Sequence, residues 1–202
     1  MIIGILAVAI AYLLGAIPFG YIIVRLKTGS DIRATGSGNI GATNVLRTTG
    51  RAAGIITLLL DFGKGYLAVW LASKLTGAEA VSMSAAAVAV LLGHAYPVFI
   101  GFKGGKAVAS TVGAFLFLTP SAIAAVTLVF IAAVWMTRYI SLGSILAAGL
   151  FPLAVWLIAH PPFSVIYASL FAGAFIVYRH RENIARLHEG TERVLSLRGK
   201  QR

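Results

Sequence analysis

The chain has 202 residues, 59% of them hydrophobic and only 11% charged, with a mean hydropathy of +0.91. Soluble globular domains carry about a quarter charged residues, so the composition excludes that class. The absence of cysteine excludes disulfides, thiolate catalysis and Cys-ligated metals.

Apolar runs near the ~20 residues that a helix needs to cross a bilayer recur along the chain. They predict an all-α, polytopic integral membrane protein with residues 1–202 forming one domain. Residues 1–24 form the first predicted span. They lack the basic start and the cleavage region of a removable signal peptide. Arg25 and Lys27 follow, and basic loops beside membrane spans stay in the cytoplasm, so the N-terminus is expected outside.

The next segment, 25–51, holds five cations against Asp31 alone. A second span is predicted over 52–73, a short turn at 76–79, and a third span over 81–100 that ends at the Lys103/Lys106 loop. Residues 110–136 are one span by length. Counted once, they would place Arg138 and the basic tail outside, against the charge rule. Pro120 supplies a break, and two short helices meeting at Thr119-Pro120 restore parity. The last spans are expected over 141–159 and 163–178, joined by His160-Pro161-Pro162. The total is about seven transmembrane helices, with the C-terminus cytoplasmic. The formal charge of +11 then lies almost wholly on cytoplasmic segments, because 179–202 holds seven cations against three acids. Cations scattered through short membrane loops do not form a soluble basic face, which argues against a nucleic-acid partner.

Three polar stretches interrupt the apolar sequence. The first, Gly36-Ser37-Gly38-Asn39-Ile40-Gly41-Ala42-Thr43-Asn44-Val45-Leu46-Arg47, fits the spacing of a dinucleotide loop but has no preceding strand. As a P-loop it fails too, with Ala42 in place of the essential lysine. It remains a glycine-rich turn with hydrogen-bonding groups and Arg47 one helical turn onward. The second, Phe102-Lys103-Gly104-Gly105-Lys106, places two lysines around a Gly-Gly hinge. Glycine beside Lys or Arg lets backbone N–H groups and cations converge on phosphate oxygens. A positive-inside anchor with a turn explains the same residues. In the third, His180, Asn183 and Arg186 repeat every three residues on a predicted interfacial amphipathic helix. Ser141 and Ser144 share a helix face after Arg138, as caps or as hydroxyls offered to phosphate. Asp61 and Lys64, three apart within a span, read as an ion pair facing the bundle. His94 reads as a packed, hydrogen-bonded residue. No carboxylate and histidine cluster suggests a metal site, and no His-x-x-x-x-Asp pair occurs at the four histidines.

Taken together, the chain resembles the PlsY family of bacterial acyl-phosphate:glycerol-3-phosphate acyltransferases. The resemblance rests on the first stretch, Asp61-Phe-Gly-Lys64-Gly, the segment from Gly93-His-Ala-Tyr-Pro to Lys106, Arg138-Tyr-Ile-Ser-Leu-Gly-Ser144, and His180-Arg-Glu-Asn through Gly190. Ile40 departs from the proline of many members, which should alter loop stiffness more than chemistry. The resemblance implies transfer of a fatty acyl group from acyl phosphate to the sn-1 hydroxyl of glycerol 3-phosphate, giving lysophosphatidic acid and inorganic phosphate, the first acylation of phospholipid synthesis. It implies no cofactor, two small anionic substrates, the bilayer as partner, and a functional monomer in the bacterial cytoplasmic membrane. Its catalytic set falls on Ser37, Arg47, Lys106, Ser144, His180 and Asn183. Substrate-binding positions are Gly36, Gly38, Asn39, Gly41, Thr43, Asn44, Lys103, Gly104, Gly105 and Ser141. An acyl phosphate is already activated, so charge control matters more than a strong nucleophile. A substrate phosphate is the expected proton acceptor, ahead of His180.

Overall fold

The computed structural model describes residues 1–195; Arg198, Lys200 and Arg202 of the basic tail lie outside the described residues. All regular structure among these residues is helical, and it divides into two compact units at Leu118/Thr119.

In the first unit, α1 (Ile2–Ala16) and α2 (Phe19–Thr28) are separated at Ile17-Pro18. Proline lacks an N–H and disfavours helical backbone in the preceding residue, and Ile17 is extended, with φ −64° and ψ 113°. The first apolar segment is therefore Ile2–Thr28, longer than expected and broken. Arg25 and Lys27 do not flank it but occupy its last turn, where cations complement the helix dipole before Gly29 caps it in the left-handed region. After a 3-10 turn at Ile32–Ala34 come α3 (Ala42–Thr49), α4 (Arg51–Thr76), α5 (Ala80–Ala95), a second 3-10 turn at Val98–Ile100, and α6 (Val108–Leu118).

Small residues let these helices touch backbone to backbone, the usual route to packing where lipid removes the hydrophobic drive. A methyl group at Gly65 would overlap the Ser110 carbonyl, and one at Gly113 the Phe62 carbonyl, so α4 and α6 meet reciprocally. Beside the glycine-rich turn, Val24, Ile32, Ile40, Val45 and Ala53 form a buried cluster, with Ile100 packed against it. Ile40 thus acts through its side chain, anchoring the turn it interrupts.

In the second unit, α7 (Pro120–Thr137) starts on a proline, which suits the first helical position. The expected break lies at Thr119, with φ −144° and ψ 65°. Then follow α8 (Ile140–Ala154), ending in a π turn at Val155–Ala159, α9 (Phe163–Arg179), and α10 (Arg181–His188), bent 53° from α9. Leu128, Trp135, Met136, Phe163 and Tyr167 are exposed, as side chains that meet lipid would be. Five helices among the described residues are long and apolar enough to cross a membrane, or six counting the bent pair. Val108–Leu118, with 11 residues, falls short of a hydrocarbon core about 30 Å thick.

Candidate active site

The glycine-rich turn is organised from within by Asn44, 2% exposed in the first turn of α3. Its Oδ1 accepts the Ser37 N–H at 2.9 Å. Its Nδ2 donates to the Thr35 and Asn39 carbonyls at 3.1 and 2.9 Å. Both ends of the amide are committed to backbone, so Asn44 shapes the turn. Gly36 and Gly38 have φ +61° and +71°, values that favour glycine, and a methyl group at Gly36 would overlap Asn44 Oδ1. Asn39 Oδ1 accepts the Gly41 N–H at 2.8 Å, closing the turn just before α3. Ser37 and Arg47 are exposed, and Thr43 is half-buried in the first turn of α3.

Arg33, just before this turn, is bonded to the segment that leads into the lysine loop. Arg33 Nη1 donates to the Ile100 carbonyl at 3.0 Å, while its Nε and Nη2 grip the Asp31 carboxylate at 2.7 to 3.1 Å. The guanidinium hydrogen bond holds the Asp31 carboxyl below its ordinary 3.8. Beyond Ile100, the backbone turns left-handed at Gly101 (φ +68°), Phe102 (φ +61°) and Ala107 (φ +62°). Left-handed backbone at Phe102 and Ala107 is strained, and such strain persists only where surrounding contacts enforce it. Between them, the Gly104 and Gly105 N–H groups return to the Ala95 and His94 carbonyls at 3.2 and 3.1 Å. Lys103 is exposed and Lys106 half-buried. Within the first unit, the segments that lead into the first two polar stretches are joined by the Arg33–Ile100 hydrogen bond.

Within the second unit the organiser is Glu192, a residue the sequence reading missed. Its Oε1 accepts from Ser141 Oγ at 2.9 Å and Asn183 Nδ2 at 2.8 Å, and its Oε2 from Arg186 Nε at 2.8 Å. Burial pushes the Glu192 carboxyl up, but the bonds from Asn183, Arg186 and Ser141 outweigh it and hold the group below its ordinary 4.5. Ser141, expected at the substrate, donates its hydroxyl to this carboxylate. The Asn183 amide is oriented, with its nitrogen toward Glu192. Ser144 Oγ bonds the Ile140 carbonyl one turn back at 2.9 Å. His180, at the bend between α9 and α10, places Nδ1 2.7 Å from the Ile176 carbonyl. A carbonyl only accepts, so Nδ1 carries a proton in this contact. The only early sign of Glu192 was an acid two residues past Gly190 in a basic tail, and nothing local marked it for burial.

Among the described residues no group of three or more His, Cys, Asp or Glu side chains could hold a metal ion. What the two units offer is cations, oriented amides and glycine backbone on a helical membrane scaffold, the features of a multi-pass membrane enzyme that handles phosphate-bearing substrates. Residues 5–190 match the glycerol-3-phosphate acyltransferase family, and the chain belongs to it. It is 47% identical to the glycerol-3-phosphate acyltransferase of Syntrophomonas wolfei, over 91% of this chain and 92% of that one. The Geobacter sulfurreducens enzyme of the same name is 49% identical over 91% and 93%. Crystal structures of PlsY, an integral membrane glycerol 3-phosphate acyltransferase, are similar in fold. The glycerol 3-phosphate form has a TM-score of 0.90 at 42% identity, covering 96% of both chains. The lysophosphatidic acid form has a TM-score of 0.87 at 40% identity, covering 96% and 95%.

Proposed function

We propose that this acyltransferase moves a fatty acyl group from acyl phosphate to the sn-1 hydroxyl of glycerol 3-phosphate. The observation that carries the reading is the Arg33–Ile100 hydrogen bond, which links, within the first unit, the segment before Arg47's turn to the segment before the Lys103/Lys106 loop. Arg47 and Lys106 bind the glycerol phosphate, helped by Ser37, the backbone of 36–41 and the start of α3. Lys103 steadies the acyl-phosphate head. Without these cations the two anionic reactants would repel each other. The family resemblance assigns substrate contact in the second unit to Ser144, His180 and Asn183, with Ser141 held by Glu192, while Asn44 shapes the turn of the first unit.

The hydroxyl oxygen attacks the acyl carbonyl carbon, the bond from that carbon to the phosphate oxygen breaks, and inorganic phosphate leaves. The hydroxyl proton passes to a phosphate oxygen of the substrates, so no protein base is consumed. Cations and backbone donors fixed beforehand stabilise the charge that grows on the departing phosphate. The acyl tail stays in the bilayer, which supports a reaction at a membrane surface, and the basic loops argue for the cytoplasmic side of the bacterial cytoplasmic membrane. In this reading both halves of 110–136 cross, the short α6 by local thinning of the bilayer, giving seven spans with the N-terminus outside, and the monomer is active.

The decisive assay uses purified protein in vesicles. Phosphate release should require acyl phosphate and glycerol 3-phosphate together and yield lysophosphatidic acid. Uptake of glycerol phosphate without acylation would overturn the reading. Lys106→Ala should lower kcat/KM by about 10² to 10³. Because the chain has no cysteine, single cysteines at 37, 103 and 188 can be labelled from either side to check topology directly.

A further inference from the structure

The first unit contains a buried polar network that the proposed chemistry does not use. Asp61 and Lys64 of α4, His94 of α5 and Ser110 of α6 are 2, 4, 4 and 0% exposed. Lys64 Nζ lies 2.8 Å from Asp61 Oδ1 and donates at 2.8 Å to the Ile17 carbonyl at the break between α1 and α2. His94 Nδ1 lies 3.5 Å from Asp61 Oδ1 and 3.3 Å from Ser110 Oγ. Burying so many polar groups is costly unless each is matched, and an apolar side chain at 94 would fill the space without them. The network ends at the lysine loop. The His94 and Ala95 carbonyls hold the Gly105 and Gly104 N–H groups, and a methyl group at Gly105 would overlap His94 Nε2. An imidazole fixed at Nδ1 presents its opposite edge in one direction, and here that edge is the surface on which Gly105 rests.

We infer that His94 is a positioning residue for Lys106. The Asp61–Lys64 pair and Ser110 set the ring, the ring sets the Gly105 backbone, and the backbone aims the next side chain at substrate phosphate. The last step rests on the reading of Lys106 given above.

The test compares His94→Ala, His94→Asn, Gly105→Ala and the His94→Ala/Gly105→Ala double variant with the wild type. Asn keeps a polar group near the Nδ1 position and removes the Nε2 edge, so it serves if the Ala variant does not fold. Both His94 variants should raise KM for glycerol 3-phosphate by about tenfold or more, with a smaller change in kcat. Gly105→Ala should do the same by collision. In the double variant the new methyl enters the space left by the ring, so its loss should fall well below the product of the two single losses. Trypsin should also cut after Lys103 and Lys106 several-fold faster in both His94 variants, a readout independent of substrate. Wild-type KM together with wild-type trypsin rates in His94→Asn would overturn the inference, and so would single losses that multiply. A wild-type protein without acyltransfer would sink the functional reading alone, leaving the trypsin arm to decide the positioning of the loop.

Discussion

Each unit gathers its polar turns around one charged residue, and the two residues have opposite signs. In the first unit Arg33 donates, joining a backbone carbonyl to a neighbouring carboxylate. In the second Glu192 accepts, joining three side chains from two helices. The first turn also has its own scaffold in the Asn44 amide and two left-handed glycines, so its clasp only orients a preformed loop. In the second unit the Glu192 carboxylate relates Ser141 to Asn183 and Arg186 through side chains. A turn built from backbone should tolerate loss of its clasp better than a cluster built from side chains.

Glu192→Ala should therefore be the most damaging change, since it leaves Ser141, Asn183 and Arg186 without their shared acceptor. Activity should fall by about 100-fold, in line with removal of a buried, charged hydrogen-bond partner. If Glu192→Ala retains most of its turnover, the contrast between the units is wrong. Asn44→Ala comes next. Removing its bonds to 35, 37 and 39 should cost about 2 kcal/mol and raise KM for glycerol 3-phosphate, read from initial rates and thermal unfolding in detergent. Arg33→Gln should cost only about 1 kcal/mol, because both members of its ion pair are about one-third exposed. Equal losses for Arg33→Gln and Glu192→Ala would erase the distinction.

The pH dependence sharpens the same comparison with the smallest effect. The folded protein depresses the Glu192 carboxyl, so its stabilisation is present above the ordinary value of 4.5 and is lost as pH falls through the lower folded value. Unfolding temperature measured from pH 7 to pH 3 should fall less steeply in Glu192→Gln than in the wild type. Parallel curves would mean that the carboxylate is not held as described.

The legible parts of this chain were those with local causes. Pro120 breaks its helix because a missing N–H acts at its own position, and Asp61 and Lys64 pair because a spacing of three puts them on one helix face. The glycine–lysine loop announced itself through residue types with few other uses inside a membrane protein. Pro18 carried the same kind of signal, but the apolar run around it masked the break. Glu192 and Arg33 were illegible because each reaches a partner far along the chain, Ser141 and Ile100, and the role of Asn44 because its nearby partners are backbone groups of an irregular turn that no helix or strand spacing encodes. Ser141 shows the same limit: its helix face was readable, but its recipient was not.

The pairing of Lys64 with Asp61 inside one helix also bears on how the protein is made. A lone ammonium would resist entry into lipid and would have to wait for a counter-ion from a later segment. Here the newly synthesised helix brings its own neutralising carboxylate, so it can leave the insertion machinery with opposite charges already matched. The Ile17 carbonyl, synthesised earlier, is then available when the lysine arrives, and docking follows insertion without an unpaired charge crossing the membrane interior.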